Sequence, residues 1–294
     1  MAPTSNPTPA PPLCFTVDLE DWYHGIELPM GQWSGHERRL EKGLMPLLDL
    51  LDEHNTHATF FVLGWIAKEY PKLIAAVASR GHELASHGYS HTKVYDLSPK
   101  AFREEIRSSK ALIEDSGGSP VVAYRAPFFS ITAKSLWALE ILAEEGYRVD
   151  CSISPVKTWR YGIEDCPDAL FTFEHTSLTE FPTSSFEILG RRWGIGGAYF
   201  RLAPYAITAA GIRKRTRARK QTMFYIHPWE YDPHHPRVPM ERKAALTHYT
   251  RLGVTLGHTA KLLKNFRFDT VARVVEHHSS AGPLQEIAVG DLKG

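Results

Sequence analysis

Gly81-His82-Glu83-Leu84-Ala85-Ser86-His87-Gly88-Tyr89-Ser90-His91 decides how this chain reads. Its first seven residues have the pattern of a short strand, and that strand runs into a loop carrying two histidines. Residues four apart share a face on a helix, and small neighbours let a loop aim two imidazoles at one point as well. Neutral imidazole is a common ligand for zinc and its divalent neighbours. Alone, His87 and His91 could equally bond to backbone. A second polar strand end changes the balance: the apolar run Cys14-Phe15-Thr16-Val17 delivers Asp18-Leu19-Glu20-Asp21. Three carboxylates in four residues repel one another unless a cation or a shared proton relieves them.

Outward from these two strand ends the chain alternates. Leu44, Leu47, Leu48 and Leu51 mark a helix over 40–54, and Ala58-Thr59-Phe60-Phe61-Val62-Leu63 reads as a buried strand, completing a β-α-β unit. A helix follows over 70–80 with Pro71 in its first turn. Ser98 caps a long helix that Gly117-Gly118 stops, Val121 to Arg125 is a strand, and 132–145 is a helix ended by Gly146. Further strands are expected at 147–150, 178–182 and 222–227, whereas from Ser154 to Gly197 the period fails and a small antiparallel insertion is expected. Repeated βα alternation with polar residues at strand ends predicts an α/β fold. The expected form is a single distorted or incomplete (β/α) barrel of about seven strands, with its site at the strand C-terminal rim.

Composition bounds the partners. With 294 residues and 43% hydrophobic content the chain can bury a sizeable core, and its regular punctuation argues for one large domain over 13–278, with a proline-rich disordered leader (1–12) and a C-terminal tail (279–294). A net charge of +1 gives no global reason to expect nucleic acid. The run Arg213 to Lys220 places six cations in eight residues, a solvated face or a peripheral contact with a membrane or an assembly partner. Three scattered cysteines make no disulfide framework. No apolar run is long enough to span a bilayer, so a cytoplasmic protein is expected, with attachment at the inner membrane left open.

Four further groups sit at or just after strand ends: Arg125; the Phe128 amide that follows it in Ala126-Pro127-Phe128; Asp150; and His227, which leads into the aromatic, proline-braced stretch Pro228 to Pro236. Singly they could be ion pairs or a core histidine. Together, in this order, they resemble the metal-dependent polysaccharide deacetylases, the carbohydrate esterases that include chitin and peptidoglycan deacetylases. Asp18-Leu19-Glu20-Asp21 is similar to the family's first motif, His87 and His91 to its histidine pair, Arg125-Ala126-Pro127 to its Arg-x-Pro motif, Asp150 to its fourth motif and Ile226-His227 to its last. Val17 to Trp22, Ser86 to His91, Gly196-Gly197-Ala198-Tyr199-Phe200-Arg201 and Tyr225 to Glu230 resemble most closely the subgroup linked to exosortase and exopolysaccharide gene clusters.

The resemblance implies N-deacetylation of an amino sugar in a polysaccharide or its oligosaccharide precursor. It implies one divalent ion, zinc foremost with Co, Ni, Fe or Mn as alternatives, held by His87, His91 and a carboxylate. Leu19 separates the acidic residues where the family has adjacent aspartates, so Glu20 and Asp21 compete for that place; Glu20 is favoured because i, i+2 residues share a strand face. Gly88 stands where the family has Ser or Thr, which leaves ligand orientation to other groups. Asp18 is implied as the base, Arg125 as its partner, the Phe128 amide as an oxyanion donor, and His227, oriented by Asp150, as the acid. Trp229 and Tyr199 are candidate sugar contacts, with inward packing an equal alternative for Trp229. Hydrolysis of a cyclic amide or ureide, and a catalytically idle glycan-binding module, are the competing readings.

Overall fold

The computed structural model describes residues 12–292 except Lys157, Trp159 and Leu189, so all but the last residue of the expected leader lies outside the described residues. In chain order the elements begin with β1 (Leu13–Leu19), α1 (Leu40–Glu53), β2 (Thr59–Val62), α2 (Gly64–Glu69), α3 (Pro71–Ser79), β3 (Glu83–Ser86), α4 (Pro99–Gly117), β4 (Ala123–Tyr124), α5 (Trp137–Glu144) and β5 (Val149–Asp150). After them come β6 (Phe171–Phe173), β7 (Thr179–Glu180), β8 (Ser185–Ile188), β9 (Arg191–Gly194), α6 (Gly197–Leu202), α7 (Tyr205–Arg217), β10 (Met223–Ile226), α8 (Arg242–Tyr249), α9 (Thr255–Asn265), β11 (Phe268–Asp269), α10 (Val271–Ser280) and β12 (Gln285–Ile287).

One open sheet runs in the order β10-β1-β2-β3-β4-β5-β7-β6-β12, with β11 on the start of β1. From β10 to β7 the neighbours are parallel, and only the β6–β7 pair is antiparallel within it. The barrel is thus incomplete, as the alternation predicts, and β8 and β9 form the separate antiparallel hairpin expected where the period fails. Every residue of β1 is buried, with Phe15, Val17 and Leu19 in the principal core and Thr16 and Asp18 bonded to Arg125. Leucines of α1 and Phe60 and Val62 of β2 join the principal core.

Two local differences stand out. The helix expected over 132–145 starts only at Trp137, because Ser135 Oγ accepts from Thr132 N (3.0 Å) and donates to Ser130 O (2.9 Å), a local alternative to helical bonding. The stretch expected to be a tail contains β12, which pairs in parallel with β6. His87 and His91 lie on the expected loop after β3, with His91 (φ 56°) and Gly88 (φ 75°) both left-handed.

Candidate active site

Parallel register carries the polar residues to one rim. Val17 pairs with Ile226, so Asp18 and His227 leave adjacent strands side by side; Val62 pairs with Ser86, and Ser86 with Tyr124, so His87 and Arg125 follow on the next strands. Asp18, Glu20, His87, His91 and Arg125 are all buried, and His227 is partly exposed.

Glu20 is the carboxylate that faces the histidine pair. Its Oε1 lies 3.1 Å from His87 Nε2 and 2.9 Å from His91 Nε2. Asp21 turns the other way: Oδ1 accepts from Trp22 N (2.8 Å), and Oδ2 accepts from Arg39 N (2.8 Å) and Leu40 N (3.0 Å), so it stitches the loop to the start of α1. The competition between them thus resolves by geometry, with Asp21 outside the cluster.

The donor set fits a cation. His87 Nδ1 sits 2.8 Å from the Arg125 carbonyl, an acceptor, so Nδ1 carries a proton and a neutral His87 turns the lone pair of Nε2 toward the Glu20 carboxylate. Two acceptors do not approach that closely unless a proton or a metal ion stands between them. With a proton there, burial is outweighed by the His91 charge and the hydrogen bonds from His87 and His91, which hold the Glu20 carboxyl well below the usual carboxylate range. The loop is fixed without a hydroxyl at position 88: Glu105 of α4 accepts from Tyr89 N (2.8 Å), Ser90 N (3.0 Å) and Ser90 Oγ (2.5 Å).

Asp18 faces Arg125 on one side and His227 on the other. Arg125 is fully buried; its Nη1 donates to Asp18 Oδ1 (2.5 Å) and Thr16 Oγ1 (3.0 Å), and its guanidinium lies 4.0 Å from the Phe61 ring centroid. His227 Nε2 stands 3.7 Å from Asp18 Oδ2. Phe128 occupies the left-handed region (φ 56°), with its ring 4.5 Å from that of His91.

Asp150 does not orient His227. It is buried, accepts from Ser152 Oγ (2.5 Å), and lies opposite Glu180 in the β5–β7 register. Burial, opposed by hydrogen bonds with Glu180 and Ser152, pushes Asp150 up to about 6, and burial and the Asp150 charge push Glu180 well above the usual range. Asp150 Oδ2 and Glu180 Oε2 are each buried without a hydrogen-bond partner among the described residues. The carboxylate on His227 is instead Glu230, whose Oε1 lies 2.7 Å from Nδ1 and also accepts from the His227 amide (3.1 Å).

Trp229 is 8% exposed and stacks with both His227 (5.2 Å) and His248 (4.2 Å), which leaves too little free indole for a sugar; inward packing is the reading the geometry gives. Tyr199 lies apart from the histidines. It meets Trp193 edge to face (5.3 Å) and, with Tyr161 and Tyr225, lines a small pocket beside Phe129.

Residues 38–149 match the polysaccharide deacetylase family, and residues 151–276 match a domain of unknown function, DUF3473. This chain carries a polysaccharide deacetylase domain over residues 38–149. The polysaccharide deacetylase match ends one residue before Asp150, so Arg201, His227 and Glu230 all fall in the second segment. A peptidoglycan-N-acetylglucosamine deacetylase of Bacillus cereus is 32% identical over 95 residues, 32% of this chain and 34% of that protein. A chitooligosaccharide deacetylase of Rhizobium leguminosarum bv. trifolii is 33% identical over 128 residues, 42% of this chain and 57% of that one. The chain therefore spans about a third to a little over half of these relatives. Among solved structures, one from Mycobacterium smegmatis named for the polysaccharide deacetylases superposes with a TM-score of 0.68 at 19% identity, covering 98% of this chain and 96% of that one. An allantoinase superposes at 0.60 with 16% identity, covering 96% of each chain. These two likenesses concern the fold.

Proposed function

We propose that this chain is a metal-dependent hydrolase removing N-acetyl groups from amino sugars of a polysaccharide or its oligosaccharide precursor, in exopolysaccharide biosynthesis. The observation that carries the reading is the convergence of Asp18 on Arg125 and His227 beside the Glu20, His87 and His91 cluster. A divalent ion held by those three residues, zinc foremost, would polarise the acetyl carbonyl and acidify a bound water.

The remaining chemistry falls to the chain's own groups. Asp18, held by Arg125, takes a proton from the attacking water as its oxygen bonds to the acetyl carbon. His227 donates a proton to the sugar nitrogen as the C–N bond breaks, giving acetate and a free amine. Burial opposes charge on His227, but the bond to Glu230 and the charges of Glu20, Glu230 and Asp18 prevail and push its pKa up to about 9, so it holds the proton it must give at neutral pH. The Phe128 amide is assigned as the oxyanion donor, and Tyr199 as a contact on the substrate side.

Acetate release from N-acetylated chitooligosaccharides, before and after chelation, tests this. Acetate formed with native protein and lost with chelator and with Asp18→Asn is expected. Turnover of a cyclic ureide with none of the acetylated sugars would transfer the assignment to the allantoinase-type reaction, and glycan binding without turnover of either would indicate an idle binding module.

No helix among the described residues is long and apolar enough to cross a membrane. The basic run is divided: Arg215 is buried, with Nη1 on Asp168 Oδ1 (2.6 Å), whereas Arg213, Lys214, Arg217 and Arg219 are exposed near the start of β10, at the opposite end of that strand from His227. We assign those four cations to peripheral contact with an anionic membrane surface on the cytoplasmic side. Sedimentation with phosphatidylglycerol vesicles, but not with phosphatidylcholine vesicles, is the expected result; equal recovery with both overturns it.

A further inference from the structure

Glu230 and Arg201 are both fully buried, and their ion pair joins the loop after β10 to the end of α6. Each polar atom of the pair is used. Glu230 Oε1 takes both the amide and Nδ1 of His227, and Oε2 takes Arg201 Nε. Arg201 Nη1 donates to Thr250 O (2.5 Å) and Nη2 to Thr247 O (2.6 Å), carbonyls at the C-terminal end of α8.

The approach is prepared by two glycines. A Cβ on Gly196 would stand 2.2 Å from the Tyr225 carbonyl, and Gly197 (φ 48°) faces the Tyr225 ring, so only this pair lets α6 begin against β10 and bring Arg201 to Glu230. A fully buried ion pair is a poor device for stability alone, since desolvation consumes most of the attraction. What this one does is fix a ring.

We propose that Arg201 and Glu230 are the positioning residues of the acid histidine, and that supplying this histidine and its support is the role of the segment matched to the domain of unknown function. The inference rests on the deacetylase reading for its catalytic consequence and on geometry alone for the pairing. Glu230 holds His227 with Nδ1 protonated and Nε2 directed at Asp18; Arg201 holds Glu230; and α8 holds Arg201. Asp150, engaged with Ser152 and Glu180, takes no part.

The test uses full-length, metal-loaded protein. Glu230→Gln alone leaves Arg201 buried without its partner and can lower folding yield, so the double variant Arg201→Met/Glu230→Gln, which removes both charges at similar volume, is the decisive one. A positioning role predicts a Tm near wild type, a kcat for acetate release at least ~10-fold lower and a KM within ~2-fold. Arg201→Lys should recover part of the lost rate, because it restores a charge for Glu230. Wild-type kcat in the double variant would reduce the pair to scaffolding and overturn the proposal. Nitrogen-15 NMR of wild-type His227 gives a readout that needs no folded variant: a proton bound at Nδ1 is expected, and an unprotonated Nδ1 overturns the pairing. Should the native protein release no acetate from any glycan while Nδ1 carries its proton, the deacetylase reading fails and the pairing stands.

Discussion

The strand ends from β1 to β4 and the segment matched to the domain of unknown function build one site by different means. From β1 to β4 the polar groups are placed by register: each leaves the end of a parallel strand next to the last, and short range does the rest, as with Asp18 on Arg125 and Glu20 on the histidine pair. The second segment contributes one strand to the rim, β10, and fixes His227 through a buried carboxylate three residues on and an arginine 29 residues upstream of that carboxylate. Strand register tolerates changes in surrounding loops, whereas removing one partner of a buried ion pair leaves the other charge buried and unpaired. The first half should therefore fail one residue at a time, and the second half as a unit.

The largest effect should come from the register-built half. His87→Ala removes one of the three groups facing a common point and should abolish stoichiometric metal by elemental analysis, with acetate release falling by more than ~100-fold. Asp21→Asn should leave metal content intact, since its oxygens serve the amides of Trp22, Arg39 and Leu40. Metal loss in Asp21→Asn with full occupancy in His87→Ala would reverse the assignment.

A smaller effect concerns pH. A histidine whose pKa is raised works as an acid below that value and loses its proton as pH rises through it, so kcat should fall on the alkaline side of about 9, about tenfold per unit. A cation on Glu20 cancels that carboxylate's share of the pull and brings the limb toward neutrality. In Arg201→Met/Glu230→Gln the limb should lie lower than in wild type, and a pH profile flat through pH 10 in wild type would remove His227 from the acid's role.

The smallest concerns Gly43 of α1. An alanine in a helix interior normally gains about 1 kcal/mol over glycine, but a Cβ here would stand 2.0 Å from the Pro228 carbonyl. Overpacking of that kind costs about 1–3 kcal/mol, so Gly43→Ala should lower Tm instead of raising it, together with a decrease in kcat. A raised Tm would show that α1 and the loop after β10 separate freely.

Much of the fold was legible because strand and helix signals are local. The leucine spacing of α1, Ser98 as the cap of α4 and Gly118 in the left-handed cap position all lie in contiguous sequence. The carboxylate facing the histidines followed from strand alternation, since Asp18 and Glu20 share a side. The partner of His227 did not follow. Glu230 lies three residues from it, but only the 3-10 turn over Pro228–Tyr231 brings the carboxylate back to the ring, and Arg201 reaches it by tertiary packing. Motif wording placed Arg201 and Glu230 in the same resemblance without distinguishing a support from a wall of the site. Trp229 stayed open between platform and core for the related reason that an aromatic beside such a group looks the same in sequence whether its face is open or covered.

Gly43 carries a consequence for how such chains can be recombined. It belongs to the segment matched as polysaccharide deacetylase, and the carbonyl it makes room for belongs to the segment that follows. A chimera joined near residue 150 would cut no strand pairing between β1 and β4, yet it would set a foreign helix surface against the turn that carries His227. The two segments are accordingly one unit of inheritance, exchangeable between relatives only where both sides of that contact are carried across together.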